Sequence, residues 1–236
     1  MLGTSTILRK ARAAIRYARL SPALCRAFSQ AWTNPPAFPK VLQIEHTTRC
    51  NLKCVMCVHG NPNRVIPKRD MPYDLFVSVL SQFKGSPAPP EFGGLQVISL
   101  HGAGEPMLHR DLIAMLELAQ KNSVLTSFVT NMTALTEELA HGLVETGLRW
   151  IVASVDAIDP VLFADIRRGA AFDVLPRVLQ NIALLQEVKR QHHSDTPELY
   201  VNSLLMKHTL PKTPALVKHL CGLGARRIMF SYMDPV

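Results

Sequence analysis

The chain has 236 residues, of which 47% are hydrophobic and 19% are charged, a composition typical of a globular protein of ordinary domain size. No run approaches about 18 consecutive apolar residues, so no segment has the sequence of a membrane-spanning helix. The formal net charge is +8, but residues 1–40 contain seven basic residues and no acidic residue, which leaves the rest nearly neutral. Because a nucleic-acid-binding domain carries its basic residues on the folded surface, this distribution argues against nucleic-acid binding.

Residues 1–40 are predicted to form a separate N-terminal extension. Apolar residues recur at helical spacing from Leu8 to Ala18 beside a stripe of arginines, and residues 34–39 form a Pro-rich connector. The simplest interpretation is a basic helix that packs on the domain that follows. Two alternatives remain, namely a peripheral contact of residues 1–30 with an anionic membrane surface or acidic partner, and a cleavable targeting segment.

From residue 41 onward, short strands rich in Val, Ile and Leu alternate with amphipathic helices, which predicts an α/β fold around a parallel sheet. The predicted strands are residues 41–46, 95–101, 124–129, 149–155, 198–206 and 226–232. The predicted helices are residues 74–84, 111–122, 136–146, 161–191 and 212–223. Right-handed crossovers would curl these units into part of a barrel, with functional groups at the C-terminal ends of the strands.

Two details of this pattern can be tested against a structure. Gly169 and Pro176 are predicted to divide the long fourth helical segment into two helices. The chain ends just after the sixth strand, so Ile228, Phe230 and Tyr232 or their neighbours are expected to form an apolar patch that a longer chain or a partner covers.

Three of the five cysteines, Cys50, Cys54 and Cys57, lie within eight positions directly after the first strand. A structural zinc site requires four ligands, and no second cysteine pair is available, although His46 and His59 could complete one. Three thiolates suit a 4Fe–4S cluster in which one iron remains open to another ligand. The other histidines show no ligand spacing and are expected at the surface.

The C-x3-C-x2-C spacing, preceded by Glu45-x-Thr-Thr-Arg and followed by Asn-Leu-Lys after its first cysteine, resembles the cluster motif of the radical S-adenosylmethionine (SAM) superfamily. The resemblance implies that Cys50, Cys54 and Cys57 hold a 4Fe–4S cluster whose fourth iron is chelated by SAM. Met56 stands where the family usually has an aromatic residue near the adenine, and it can still offer an apolar surface.

Later segments resemble further motifs of the same family, in the same order. The sequence His-Gly-Ala-Gly-Glu-Pro at residues 101–106 is similar to the family's Gly-Gly-Glu-Pro segment, in which Glu105 would accept hydrogen bonds from the ammonium group of SAM. Thr130 and Asn131 end the third strand, and Arg167 is favoured over Arg168 as a partner of the SAM carboxylate. The cofactor-binding residues that the resemblance implies are Met56, Gly102, Gly104, Glu105, Ser154, Asp156, Arg167 and Asn202.

The resemblance implies a partial (β/α)6 TIM-like barrel of the radical SAM type over residues 41–236, similar to the core of peptide-modifying members. It implies an enzyme of the cytoplasm that cleaves SAM reductively and uses the 5'-deoxyadenosyl radical to abstract hydrogen from a small-molecule or peptide substrate. A flavodoxin- or ferredoxin-like electron donor is the expected partner. The alternative is a non-enzymatic metal- or iron–sulfur-binding module that mediates partner interaction.

Overall fold

The computed structural model describes residues 39–83, 96–169 and 174–232. The predicted N-terminal helix and its membrane contact lie outside these residues. The six strands are β1 Val41–Ile44, β2 Val97–Leu100, β3 Leu125–Thr130, β4 Trp150–Ser154, β5 Glu198–Leu205 and β6 Arg227–Tyr232. The helices are α1 Tyr73–Ser81, α2 Leu112–Lys121, α3 Glu137–Glu145, α4 Pro160–Ile166, α5 Val174–Gln191 and α6 Thr213–Gly222, and short 3-10 helices cover Val58–Gly60, Pro106–Leu108 and Leu210–Lys212.

The strands form one parallel sheet in the order β1-β2-β3-β4-β5-β6. This sequential order arises because each helix carries the chain over to the next strand with the same direction. All strand C-termini therefore meet at one edge, where Thr130 pairs with Ala153 and Ser154 pairs with Asn202. The predicted α/β architecture is confirmed.

The core lies between the sheet and its helices. Ile98, Phe128 and Ile151 from neighbouring strands are fully buried, as are Met115 of α2 and Ile182 of α5. Alternation along the strands places other residues on the opposite face, where the paired Ser99 and Ser127 hydroxyls lie 3.1 Å apart. Packing of the helices on the apolar face of the sheet therefore stabilises the strands. The opposite face of the sheet can then carry polar groups.

Local sequence signals account for most helix ends. The Thr136 hydroxyl caps α3 by accepting a hydrogen bond from the Leu139 amide, and Gly147 follows that helix with a φ of 66°. Gly169, with a φ of 85°, separates α4 from the next helix as predicted. Pro176 marks the start of the second helix: it lies in the first turn of α5, where its missing N–H leaves no helical hydrogen bond unmade. The predicted division into two helices is confirmed.

The sixth strand forms an exposed edge in the described part of the chain. Tyr232 is 77% exposed and Phe230 is 41% exposed, whereas Ile228 packs against the core. Exposed apolar side chains are therefore present on this strand, with Phe230 and Tyr232 on one face and Met229 on the other. No helix within residues 39–83, 96–169 and 174–232 is long and apolar enough to cross a membrane.

Candidate active site

The loop after β1 holds the three clustered cysteines as free thiols, with Cys54 buried and Cys50 and Cys57 half-buried. Two backbone hydrogen bonds fix this loop against the end of α4, from the Lys53 amide to the Arg168 carbonyl (2.5 Å) and from the Val55 amide to the Ile166 carbonyl (2.9 Å). Burial raises the pKa of the Cys50 thiol to about 11, and it raises the pKa of Cys54 as well, against the opposing charge of Arg167. Burial thus disfavours the thiolate forms of Cys50 and Cys54, and a bound cation would offset this cost.

One cavity of about 320 Å³ opens between this loop and the C-terminal ends of the strands. The three cysteines form one wall. Polar groups from β3, β4, β5 and the loop after β2 form the rest. The structure brings together every cofactor-binding residue expected from the sequence, because the cavity is lined by Met56, Gly102, Gly104, Glu105, Ser154, Asp156, Arg167 and Asn202.

The two glycines after β2 are required by contacts within the chain itself. A Cβ on Gly104 would lie 2.2 Å from the Thr47 carbonyl oxygen, and one on Gly102 would lie 2.4 Å from Oε1 of Glu45. The same Glu45 oxygen accepts a hydrogen bond from the Ala103 amide at 2.5 Å. The glycine segment therefore packs directly on the residues that lead into the cysteine loop.

Glu105 is buried, with 2% of its surface exposed, and neutral donors satisfy its carboxylate. Oε1 accepts from the Thr130 hydroxyl at 2.6 Å and from the Met107 amide at 3.2 Å, and Oε2 accepts from the Asn131 amide at 2.7 Å. Burial raises the pKa of Glu105 in spite of these bonds. Since a carboxylate offers about four acceptor sites, roughly one remains for a ligand. The carboxylate thus ties the glycine segment to the end of β3.

Asp156 and Arg167 form a buried ion pair on the other side of the cavity. Nε of Arg167 donates to Oδ2 of Asp156 at 2.7 Å, and Oδ1 of Asp156 accepts from the Leu204 amide at 2.8 Å. Nη1 of the same guanidinium lies 3.7 Å from Sγ of Cys54. Arg168, the spare candidate, is exposed to solvent. The pair therefore holds one positive charge between the cysteine loop and the cavity.

Asn51 and Thr133 join the cysteine loop to the segment after β3, and neither was predicted as a site residue. Asn51, next to the first cysteine, donates to the Thr133 hydroxyl at 2.7 Å and accepts from the side-chain amide of Asn131 at 2.9 Å. Asn131 in turn accepts from the amide and hydroxyl of Thr133. The sequence offered one signal for this contact, namely the amide side chain of Asn51 within the cysteine motif, because Asn side chains commonly form hydrogen bonds with nearby polar groups.

The histidines do not complete a site with the cysteines. His46 is buried beside His109 with ring centroids 5.2 Å apart, and His59 lines a different cleft. The expectation of a surface position is thus wrong for His109, which is 3% exposed and packs on the buried ring of His46. No group of three His, Cys, Asp or Glu side chains in the described ranges is arranged to hold a single metal ion. A 4Fe–4S cluster has no such requirement, because each thiolate binds a different iron.

A family model for the radical SAM superfamily matches residues 44–196, which include the cysteine loop, the glycine segment and the Asp156–Arg167 pair. The chain belongs to the radical SAM superfamily. Proteins of this family use a 4Fe–4S cluster and SAM, so the predicted cofactors are confirmed. Which residues of this chain bind them is taken up below.

The relatives of this radical SAM chain include proteins named for cofactor and nucleotide chemistry. It is 27% identical over 201 residues to a tungsten-containing aldehyde ferredoxin oxidoreductase cofactor-modifying protein of Pyrococcus furiosus, covering 84% of this chain and 52% of the relative. It is 29% identical over 191 residues to a probable GTP 3',8-cyclase of Methanococcus maripaludis, covering 80% and 58%. The chain therefore spans little more than half the length of these relatives.

A solved structure confirms the fold. SuiB of Streptococcus suis bound to S-adenosylmethionine superposes with a TM-score of 0.67 at 18% identity, covering 95% of this chain and 52% of SuiB. SuiB bound to its precursor peptide SuiA gives a TM-score of 0.66 at 20% identity, covering 92% and 45%. At these identities the likeness establishes the architecture, which is the partial barrel predicted from the sequence.

Proposed function

We propose that this chain is the catalytic core, over residues 41–236, of a radical SAM enzyme, with Cys50, Cys54 and Cys57 as the ligands of the 4Fe–4S cluster. The supporting observation is that these thiols share one cavity with all eight residues expected to bind SAM. When bound, the reduced cluster and SAM supply the reductive cleavage that yields a 5'-deoxyadenosyl radical for hydrogen abstraction. The chain's own residues bind, orient and shield these groups.

The donor set fits this pair of cofactors. Three soft thiols from one loop suit an iron–sulfur cluster. Arg167 places its guanidinium beside Cys54, where positive charge favours the thiolate, and its planar fork can also bind a carboxylate. We assign Arg167 to the carboxylate of SAM and Asp156 to the positioning of Arg167.

The remaining residues divide by their chemistry. Gly102, Gly104 and the free acceptor site of Glu105 line the cavity and would hold the amino group of SAM, and Met56 would offer an apolar surface to the adenine. Ser154 and Asn202, which pair in register at the ends of β4 and β5, offer hydroxyl and amide groups to the ribose or the adenine edge. Val129 and Leu204 also line the cavity, where apolar side chains keep water away from a radical.

The substrate is proposed to be a peptide or a small molecule, since SuiB binds a precursor peptide and the curated relatives are named for cofactor and nucleotide chemistry. The electron donor is proposed to be a flavodoxin- or ferredoxin-like protein, and the location to be the cytoplasm. The non-enzymatic binding module is not favoured, because the named relatives are enzymes.

Anaerobic reconstitution tests the proposal. The protein should bind close to four iron and four sulfide per chain and release 5'-deoxyadenosine when dithionite and SAM are added. A triple Cys50→Ala, Cys54→Ala, Cys57→Ala variant should lose both, whereas Cys221→Ala, which changes an exposed thiol far from the motif, should lose neither. Iron retained in the triple variant, or stoichiometric zinc without iron, would contradict the proposal and favour the binding module.

A further inference from the structure

The outer side of the cysteine loop carries a surface that the SAM cavity does not use. We name it the outer basic surface and define it by five exposed cationic side chains, those of Lys53, Arg64, Lys68, Arg69 and Arg168. No acidic residue occurs between Glu45 and Asp70. None of the five forms a salt bridge within the part of the chain that the structure describes. Their charges are therefore available to a partner.

Hydrogen bonds fix this surface relative to the cysteines. The Thr48 amide donates to the Arg69 carbonyl at 2.9 Å, and the Arg69 amide donates to the Thr48 hydroxyl at 2.9 Å. The Lys53 amide bonds to the Arg168 carbonyl, which brings the end of α4 against the same loop. The backbone at Lys53, Arg69 and Arg168 is thus fixed to the loop that carries Cys50 and Cys54.

Apolar side chains lie among these charges. Val55 and Val58, on either side of Cys57 in sequence, are 38% and 37% exposed, and Val65 is 93% exposed. A cleft of about 400 Å³ opens between Lys53, His59, Arg64 and Val65. Nε2 of His59 is buried there and has no hydrogen-bond partner among the described residues. Exposed apolar groups within a charged rim are typical of an interface that forms and separates quickly.

We propose that the outer basic surface docks the electron donor, and that this donor is an acidic one-electron carrier protein. The inference rests on the proposed function, because it assumes a cluster at Cys50, Cys54 and Cys57. One electron leaves the reduced carrier and enters that cluster, and no bond forms or breaks. SAM and substrate occupy the cavity on the inner side of the loop, so the outer side is where a protein can approach the thiols. Carboxylates of the carrier meet the five cations, and one of them enters the cleft beside Arg64 and His59.

Charge reversal tests the docking. In the reconstituted protein, Arg64→Glu with Lys68→Glu should lower the second-order rate of cluster reduction by an acidic flavodoxin about tenfold or more at low salt. The difference should shrink in about 0.5 M salt, where exposed charges are screened. Lys121→Glu with Lys218→Glu is the matched control: it reverses two exposed charges on α2 and α6, away from the cysteine loop, and should leave the rate unchanged. Reduction by dithionite should be the same in all three proteins.

A binding measurement provides a readout independent of turnover. Carbodiimide coupling of the protein to oxidised flavodoxin, followed by peptide mapping, should place cross-links at Lys53 and Lys68, and excess salt should abolish them. Cross-links confined to other lysines, or equal flavodoxin rates in the charge-reversed and control proteins, would overturn the docking proposal. Failure of dithionite to yield 5'-deoxyadenosine would instead overturn the proposed function, so the two failures are distinguishable.

Discussion

The two sides of the cavity each bury one carboxylate, and the two are stabilised differently. Glu105, between β2 and β3, is 2% exposed and accepts hydrogen bonds from one hydroxyl and two backbone amides. Asp156, after β4, is 1% exposed and bonds the guanidinium of Arg167 and one amide. The hydrogen bonds to Glu105 join two segments of the backbone, whereas the ion pair of Asp156 holds the charged side chain of Arg167 in place. We therefore expect the Glu105 side to organise the loops and the Asp156 side to supply the positive charge.

The largest effect should come from breaking the ion pair. Asp156→Asn leaves the Arg167 guanidinium buried without its counter-charge, and we expect a loss of about 3–5 kcal/mol in the free energy of unfolding. Equilibrium urea unfolding under anaerobic conditions measures it. Asp70→Asn is the matched control, since the pair of Asp70 with Arg49 is more exposed and should cost about 1 kcal/mol or less.

A second substitution separates charge from volume at the same site. Adding Arg167→Met to Asp156→Asn removes the unpaired charge and should recover a large part of the lost stability, although SAM affinity should stay low. Equal stability of the single and double variants would show that the guanidinium reaches solvent in the absence of Asp156. In that case the loss of Asp156 would leave no buried unpaired charge, and the contrast with Glu105 would fail.

The next largest effect is the loss of folding stability in acid, and it arises on the Glu105 side of the cavity. There the loop that begins with Glu105 ends at His109, whose ring packs on His46. Burial lowers the pKa of His46 from 6.5 to about 4, and the charge of His109 acts in the same direction. The unfolded chain therefore binds this proton at a higher pH than the folded chain does. The neutral His46 ring therefore makes its full contribution to the free energy of unfolding above about pH 6.5. This contribution is lost as the pH falls toward 4, to a total of about 3 kcal/mol.

His46→Phe should flatten the dependence of unfolding free energy on pH between 6.5 and 4, because the ring no longer titrates. The exposed His208→Phe serves as control, since its ring stays in solvent in either protein. Urea unfolding of the three proteins across that range makes the comparison. A parent protein and a His46→Phe variant with the same acid slope would show that the pKa of His46 is not lowered by folding.

The sequence predicted the sheet and the cavity for the same reason. Six apolar runs of strand length, separated by segments with a helical period, leave little choice but parallel strands, and the C-terminal ends of such strands meet at one edge. Residues such as Ser154 and Asp156, two positions apart at the end of a strand, then share a face. The sequence alone therefore predicted which residues would line the cavity.

Side-chain partners were less accessible to the sequence. The bonds from Asn51 to Asn131 and Thr133 join residues about 80 positions apart, and they depend on the path of an irregular loop. The need for glycine at position 104 was equally hidden, because it comes from close contact with the Thr47 carbonyl of another loop. Local patterns encode strands and turns, but they do not encode which two loops will touch, because that distance is set by the whole sheet.

The smallest expected effect tests the neutral donors of Glu105. Thr130→Val keeps the volume of the side chain but removes the hydroxyl that donates to Oε1 of Glu105 and accepts from the Met132 amide at 2.9 Å. Two backbone donors remain on the carboxylate, so we expect a loss of about 2 kcal/mol, less than for Asp156→Asn. Thr130→Ser retains the hydroxyl and should recover most of this loss, as measured by urea unfolding. If the two variants are equally destabilised, the methyl group lost in Thr130→Ser contributes as much as the hydroxyl lost in Thr130→Val, and the hydrogen bond does not dominate on this side. If Thr130→Val costs as much as Asp156→Asn, the two buried carboxylates depend equally on single partners, and the contrast between the two sides of the cavity does not hold.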